Sequence, residues 1–516
     1  MYKYALFMKL NKQILFGFLL TISVLIQISS IANPIDNGNK TAKVYTSQFE
    51  NVMGTSFEMK IKTSSEKVIA KAETIALNEI DRLSKILSSY DQNSEFNKWQ
   101  RTLNKPFKAS PELIEVLSLF EQWKSNTNGA LNPAFEAVNQ VWKKAKSNQI
   151  TPTKEDLNIA INEAAKQHYS IDQQNETITH LTNTPLTINT FVKSYIIDKA
   201  SKKVMEETGV NNVVMNIGGD IAVYGTQNEE VAIVNPKENA INDEALTYVN
   251  IKDKFIATSG NYRRGKLING KWYSHIIDPR NGQPVENVIS ATVIANNATD
   301  AGALATSFNI LTVNESIELA KKYPTAAYLI ITEKGEQIKN EQWDIYAAEK
   351  IKPTSLNTIV ANKDQFDPSY ELIVNLELAQ MQGPSRRPFV AIWVEDKDKT
   401  PLRTLSLWFN KPRWLHDLRA WYSANYSKYN VESGTINSIS SATRTAGKYA
   451  IKWDGKDDKG NLVKTGKYTI YIEVAREHGT YQIINQEVKI NNKELQIELP
   501  SNTEVASASI EVKKVN

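Results

Sequence analysis

A chain of 516 residues is too long for one ordinary hydrophobic core, so its length predicts two packed domains. Its 61 Lys plus Arg against 57 Asp plus Glu leave a formal net charge of +4, with no basic block interleaved with aromatics, which excludes a nucleic-acid surface built on charge. There is no cysteine, which excludes disulfides, thiolate metal ligands, a cysteine nucleophile and a lipid-anchored N-terminal cysteine, so any chemistry rests on oxygen, nitrogen or a bound cofactor.

In chain order, the first segment departs from the rest. Lys3, Lys9 and Lys12 precede the apolar run Ile14–Leu20, which stays apolar to Ile31, and Ser30 and Ala32 put small side chains where a signal peptidase needs them. The pattern predicts a secretory signal over residues 1–32 with cleavage after Ala32, and so an exported protein, periplasmic or at the outer face of the inner membrane. An uncleaved anchor is the alternative, since the apolar stretch is nearly long enough to span a bilayer.

Residues 33–352 mix helical and strand patterns. Ser64-Ser65 open a run in which Ile69, Ala72, Ile75, Ala76, Ile80, Leu83, Ile86 and Leu87 recur at three and four residues, the spacing of one buried helix face. Ser110 followed by Pro111 starts a second helix, predicted to run to about Lys124, with the hydroxyl as cap and the ring in the first turn. Short apolar stretches such as Val213–Ile217 and Phe255–Ala257 read as strands. After a polar linker over 353–366 the period changes to two: Tyr370–Leu376, Tyr468–Val474 and Leu495–Leu499 alternate between turn signals. The expected fold class is an α+β N-terminal domain over 33–352 followed by an all-β sandwich over 367–516.

Several clusters carry chemistry. Asn216-Ile217-Gly218-Gly219-Asp220 lies between two apolar stretches; its glycines permit positive φ and close approach of backbone amides to a ligand, though alone the motif reads as a hairpin turn. Ala257–Arg264 and Ser274–Val285 each end a strand in a polar turn, which would gather hydroxyls, guanidinium groups and an imidazole at one sheet end. His275, one of five histidines, suits general-base work on a hydroxyl beside a phosphate ester; the alternative is a structural histidine beside Asp278. Trp453–Gly460 has the wrong carboxylate spacing for a calcium loop and reads as a hairpin turn. The tryptophans of the second half read as core, and Arg476-Glu477-His478 as a solvated strand end, with a partner or ligand site as the alternative.

Met53-Gly54-Thr55, Ser89-Tyr90 with Ser94-Glu95, Asn128–Pro133, Lys193-Ser194-Tyr195 with Asp198, Asn216–Asp220, Thr258–Arg264, His275–Pro284 and Ala303–Thr306 follow one another in an order that resembles the FAD:protein FMN transferase (ApbE) family over residues 45–340. The resemblance implies a flavin-transferase-like domain that splits FAD at its pyrophosphate and passes FMN to a Thr or Ser hydroxyl of an exported acceptor protein, with release of AMP and with magnesium as cofactor. It implies that Met53, Tyr90, Ala130, Leu131, Asn132, Thr187, Lys193 and Ile277 hold FAD, that Thr190, Asp300 and Thr306 hold magnesium, and that His275 is the base.

The chain departs from that pattern at defined places. Thr187-Ile188-Asn189-Thr190 stands where the family usually reads Asp-Leu-Gly-Gly, Asn132 stands for an Asp, and Gly302 takes the place of the metal-binding Asp four residues before Thr306. Asp300 lies six residues before Thr306, turned about a third of a revolution away on an ideal helix, and serves only if the helix begins after it. The alternative function is a non-catalytic flavin-binding or assembly protein that kept the fold and lost the metal site.

Beyond the linker, Arg386–Trp393, Thr404–Trp408, Arg413-Trp414-Leu415, Leu418–Tyr422 and Arg476–Gly479 resemble exported domains of unknown function often found beside this transferase. Asn437–Thr443 resembles the Asp-x-x-Ser/Thr-Gly-Ala-Thr sequence of flavin acceptors, with Asn437 and Ser441 in place of Asp and Gly, which implies FMN attachment to Thr443.

Overall fold

The computed structural model describes residues 42–515, apart from 238–239, 244, 262–264, 349–363, 382–386, 410–411, 426, 428–439, 442–443, 445 and 478. The expected leader 1–32, most of the linker 353–366 and Thr443 lie outside the described residues, as do Arg263, Arg264, Arg386 and His478.

Eight antiparallel strands form one sheet whose spatial order is their chain order: Lys43–Val52, Thr55–Thr63, Val213–Ile217, Asp220–Tyr224, Lys254–Gly260, Val288–Ala295, Ala327–Thr332 and Gln337–Lys339. Everything between neighbouring strands is therefore an excursion from a meander, and the longest, between Thr63 and Val213, supplies most of the helices. The helix Glu66–Leu87 forms where its periodicity predicts, burying Ala72, Ile75, Ala76, Ile80, Leu83 and Leu87, with Ile69 and Ile86 partly covered. Each such aliphatic side chain removed from water contributes roughly 1.5–3 kcal/mol, which is what holds a helix of modest intrinsic stability in place.

Helices Pro111–Asn126, Val192–Thr208 and Ala298–Ile310 share that core. On the other face of the sheet, Val223, Ile256, Ile294 and Leu329 meet Ile233, Val249 and Ile251 of a separate hairpin, Glu229–Ile233 with Thr247–Ile251, together with Trp343. The strand Val288–Ala295 is buried along its whole length because both of its faces are covered.

Ser110 caps its helix as expected, its Oγ accepting from the Leu113 amide at 3.4 Å, but the helix runs to Asn126, two residues past Lys124. It ends because Asn128 and Gly129 turn left-handed, with φ of 50° and 87°.

The C-terminal part is two sheets around one core. Gly447–Trp453, Tyr370–Leu378, Val505–Lys514 and Leu495–Leu499 form one, and Ser440–Ser441, Pro401–Trp408, Phe389–Asp396, Gly466–Ala475 and Tyr481–Ile490 the other. Leu372, Val374 and Leu376 of the first pack with Val390, Ile392, Ile470 and Ile472 of the second, the alternation expected of a sandwich. Trp393, Trp408, Trp421 and Trp453 are buried, and Trp393 stacks on Tyr471 with ring centroids 4.6 Å apart. In the Trp453–Gly460 turn, Asp457 Oδ1 accepts from the amides of Lys459 and Asn461, both at 2.9 Å. Arg476 is not at a solvated strand end: its Nε lies 2.8 Å from both carboxylate oxygens of the buried Glu504, an ion pair made across the fold.

The segment between Ile233 and Thr247 leaves the first part and straps onto the second. The Ile241 amide donates to the Ala450 carbonyl at 2.9 Å, and Asn242 bonds the Lys452 backbone in both directions at 2.7 Å. Asp243 holds Lys452 Nζ at 2.8 Å, and Ile241 packs on the sandwich core. No helix among the described residues is long and apolar enough to cross a membrane.

Candidate flavin-nucleotide site

Two pressed-together turns make one wall of a cleft of about 1210 Å³. The first joins the opening strands: Asn51, Met53 and Gly54 have φ of 57°, 51° and 76°, and the strand register shifts between Phe49 and Val52. A left-handed methionine costs on the order of 1 kcal/mol or more, so Met53 is aimed at the cleft against its own backbone preference. The second is the Gly218-Gly219 turn, φ 62° and 101°, between Val213–Ile217 and Asp220–Tyr224. Asn216 Oδ1 closes it by accepting from the Gly219 amide at 3.1 Å. A Cβ on Gly218 would sit 3.1 Å from the Thr55 side chain, so the glycine lets the two turns approach. The motif forms the hairpin turn, and Gly218 lines the cleft.

Further lining begins where the helix Pro111–Asn126 ends. Thr127 Oγ1 accepts from the Leu131 amide at 3.0 Å, fixing Ala130 and Leu131 at the cleft. Asn132 also lines it, but its side chain is spent on structure: Oδ1 accepts from the Ala134 amide at 2.9 Å and Nδ2 donates to the Ala164 carbonyl at 2.8 Å. Lys193 enters from the first turn of the helix Val192–Thr208, and Ala305 and Thr306 from the helix Ala298–Ile310.

His275 and Ile277 follow the strand Lys271–Ser274, which among the described residues pairs only with Gly265–Ile268, in a hairpin apart from the main sheet. The expectation that this segment and Thr258 end one sheet side by side is therefore corrected, although Thr258 and His275 both line the cleft. Arg280 is committed elsewhere. It donates from Nε to Asp278 Oδ1 at 3.0 Å and from Nη1 to Glu315 Oε1 at 2.7 Å, and by its hydrogen bonds holds the Glu315 carboxyl down at about 2.

Of the residues singled out in the sequence, Met53, Tyr90, Ala130, Leu131, Asn132, Thr190, Lys193, His275, Ile277 and Thr306 line this one cleft. Tyr90 stands on its rim, 82% exposed. Thr187 and Asp300 are not among the lining residues. Thr187 is buried behind the wall, its amide donating to the Pro133 carbonyl at 2.8 Å and its Oγ1 accepting from Asn189 Nδ2 at 2.9 Å. Asp300 does not precede its helix: Asn297 is the cap, accepting from the Asp300 amide at 2.7 Å and donating to Asp300 Oδ2 at 2.5 Å. The condition on which Asp300 would face Thr306 is not met.

Asp220, noted in the sequence only as the end of a turn, also lines the cleft. Burial pushes its carboxyl up to about 6, against the opposing pull of the Ser194 hydroxyl and of Lys193. Its position first in a strand, directly after two glycines, was the available signal.

Magnesium takes hard oxygen ligands, characteristically one or two carboxylates with substrate phosphates and water completing the octahedron. Among the described residues no three His, Cys, Asp or Glu side chains gather to cage a metal. Asp220 and the hydroxyls of Thr190 and Thr306 line the same cleft, oxygen donors of the kind magnesium takes when it is held jointly with a nucleotide.

Residues 53–330 match the model of the ApbE family, and residues 371–507 that of a predicted periplasmic protein family, DUF2271. The FAD:protein FMN transferase of Escherichia coli (strain K12) is 26% identical over 300 residues, spanning 56% of this chain and 84% of that protein. The FAD:protein FMN transferase of Haemophilus influenzae is 28% identical over 300 residues, spanning 54% and 84%. The crystal structure of the ApbE protein of Thermotoga maritima shares the fold, with a TM-score of 0.53 at 23% identity over 60% of this chain and 100% of that one. With more than half of its residues inside the family model, and that stretch folding around this cleft, the chain belongs to the ApbE family.

Proposed function

We propose that the cleft binds FAD and that the chain transfers the FMN half to a Thr or Ser hydroxyl of an exported acceptor protein, releasing AMP. The observation that carries this reading is that one cleft is lined at once by an imidazole, an ammonium group, hydroxyls and a carboxylate, at His275, Lys193, Thr190, Thr306 and Asp220. Its volume of about 1210 Å³ is ample for a dinucleotide, since ligand pockets run to roughly 1,000 Å³.

In this reading Met53, Ile277, Ala130 and Leu131 make the apolar contacts to the isoalloxazine, and Tyr90 closes over it from the rim. Lys193 offsets pyrophosphate charge. The acceptor oxygen bonds to the phosphorus on the FMN side as the bond from that phosphorus to the bridging oxygen breaks. The bridging oxygen leaves with AMP, and the hydroxyl proton passes to a ring nitrogen of His275. Magnesium, when bound, supplies charge neutralisation at the pyrophosphate, with Thr190, Thr306 and Asp220 as the residues to hold it.

The same proposal assigns residues 1–32 to an export signal, 33–352 to the transferase domain, 353–366 to a linker and 367–516 to the sandwich, with the mature protein in the periplasm or at the outer face of the inner membrane. The acceptor carries an Asp-x-x-Ser/Thr-Gly-Ala-Thr type motif, and Thr443 is a candidate for the same modification. A second reading, a flavin-binding or assembly protein without turnover, is favoured by Gly302, which carries no carboxylate and where a Cβ would crowd Ser194 Oγ at 2.6 Å.

Incubation of the chain with FAD, Mg²⁺ and an acceptor protein separates the two. AMP release with covalent flavin supports the transferase, and FAD binding with no AMP supports the second reading. For the transferase, His275→Ala should lower AMP release by about 10²–10⁴-fold and leave FAD affinity unchanged.

A further inference from the structure

We infer that Asp220 is the carboxylate this chain presents to a divalent cation in the cleft, and that Ser194 positions it in room left by the absent side chain of Gly302. The inference rests on the flavin-nucleotide reading of the cleft and names the residues that would complete it.

Three carboxylates line the cleft: Asp81, Asp91 and Asp220. Asp81 is paired with Lys85 at 2.6 Å on an exposed helix face, and Asp91 is exposed and accepts from the Asn93 amide at 2.8 Å. Of the three only Asp220 is half-buried, and it lines the cleft together with Thr190, Thr306 and Lys193.

One hydroxyl ties Asp220 to Gly302. Ser194 is 2% exposed, and its Oγ lies 2.6 Å from where a Cβ of residue 302 would be, with Phe191 Cβ a further obstacle at 3.2 Å. That same Oγ donates to Asp220 Oδ2 at 2.9 Å. A residue on the helix Val192–Thr208 thus fills the space beside Gly302 and uses it to grip a carboxylate from the neighbouring strand. A carboxylate has about four lone-pair positions, so one donated hydrogen bond orients the group and leaves most of it free for a cation. Magnesium bound with a nucleotide needs no more than one or two such groups from the protein.

The test is manganese binding to the full chain, read by electron paramagnetic resonance, with and without FAD, beside FAD binding in EDTA read by flavin fluorescence. Asp220→Asn keeps the shape and an acceptor for Ser194; it should weaken Mn²⁺ binding in the presence of FAD at least tenfold while FAD binding in EDTA holds or tightens. Ser194→Ala, which retains the carboxylate but frees it, should weaken Mn²⁺ binding severalfold. Thermal melting of both variants controls for folding. If Asp220→Asn is folded, binds FAD and holds Mn²⁺ as tightly as the unmodified chain, the inference is overturned and the flavin reading stands. If the unmodified chain quenches no flavin fluorescence under either condition, the flavin reading fails and the inference with it.

Discussion

Arg387, at the entry to the sandwich, lies with its Nε 3.4 Å from Glu50 Oε2, three residues before the left-handed Met53 of the cleft. Burial still outweighs the guanidinium, pushing the Glu50 carboxyl up to about 7, and Glu50 Oε1 is buried with no hydrogen-bond partner. An acid whose pKa is raised by folding binds more protons folded than unfolded. Its contribution is therefore complete below the usual carboxylate value of 4.5 and disappears as pH rises through about 7. Glu50→Gln should accordingly be more stable than the unmodified chain at pH 8, by about 1–2 kcal/mol after allowing for partial solvent screening, and the gain should vanish near pH 5. Urea unfolding at the two pH values measures it; equal stabilities at pH 8 would refute the assignment.

Restoring a carboxylate at residue 302 should not be free. Gly302→Asp drives a Cβ to 2.6 Å from Ser194 Oγ and 3.2 Å from Phe191 Cβ, overpacking of a kind that costs about 1–3 kcal/mol. Adding Ser194→Gly should recover part of the loss, the Phe191 contact retaining the rest. Denaturation midpoints of the single and double variants, at unchanged denaturant slope, check the order.

Arg280→Ala removes the group that joins Asp278, in the loop beside Ile277, to Glu315 on the helix Val313–Ala320. Leaving buried Asp278 without its counter-charge should cost about 2–3 kcal/mol at neutral pH. Glu315 is held low, so its share of the stability is present above the usual carboxylate value and drains away as pH falls towards about 2. The gap between the variant and the unmodified chain should therefore narrow in acid, as thermal melts across that range would reveal.

Tyr90, exposed on the rim, adds little to the packing of the fold. Tyr90→Ser should leave the melting temperature unchanged yet weaken FAD binding about fivefold, since an aromatic contact of this kind is worth about 1 kcal/mol. A fluorescence titration decides between this and a bystander residue, which would leave the affinity alone.

What was legible in the sequence was what is local or periodic. The helix through Ile75, Ile80 and Leu83, the Ser110 cap and the two-residue Gly218-Gly219 turn each depend on neighbours within a few residues. The start of the Asp300 helix was also written locally, as Asn297 three residues before Asp300. Long-range partnerships were not legible. Nothing near Arg476 announces Glu504, and nothing near Asp220 announces that Ser194 from another element will hold it. The turn before Asp220 was legible, whereas the grip of Ser194 on Asp220 was not, because it depends on the absent side chain of residue 302, far along the chain.

The strap through Ile241, Asn242 and Asp243 occupies the outward side of the edge strand Gly447–Trp453, which would otherwise display bare amides and carbonyls. Each half of the molecule is therefore the other's protection against sticking to copies of itself: a sandwich made alone would carry an open strand, and a first half made alone would carry Ile241 into water. A mutation that loosens the cleft-bearing half should therefore also expose an aggregation edge in the sandwich.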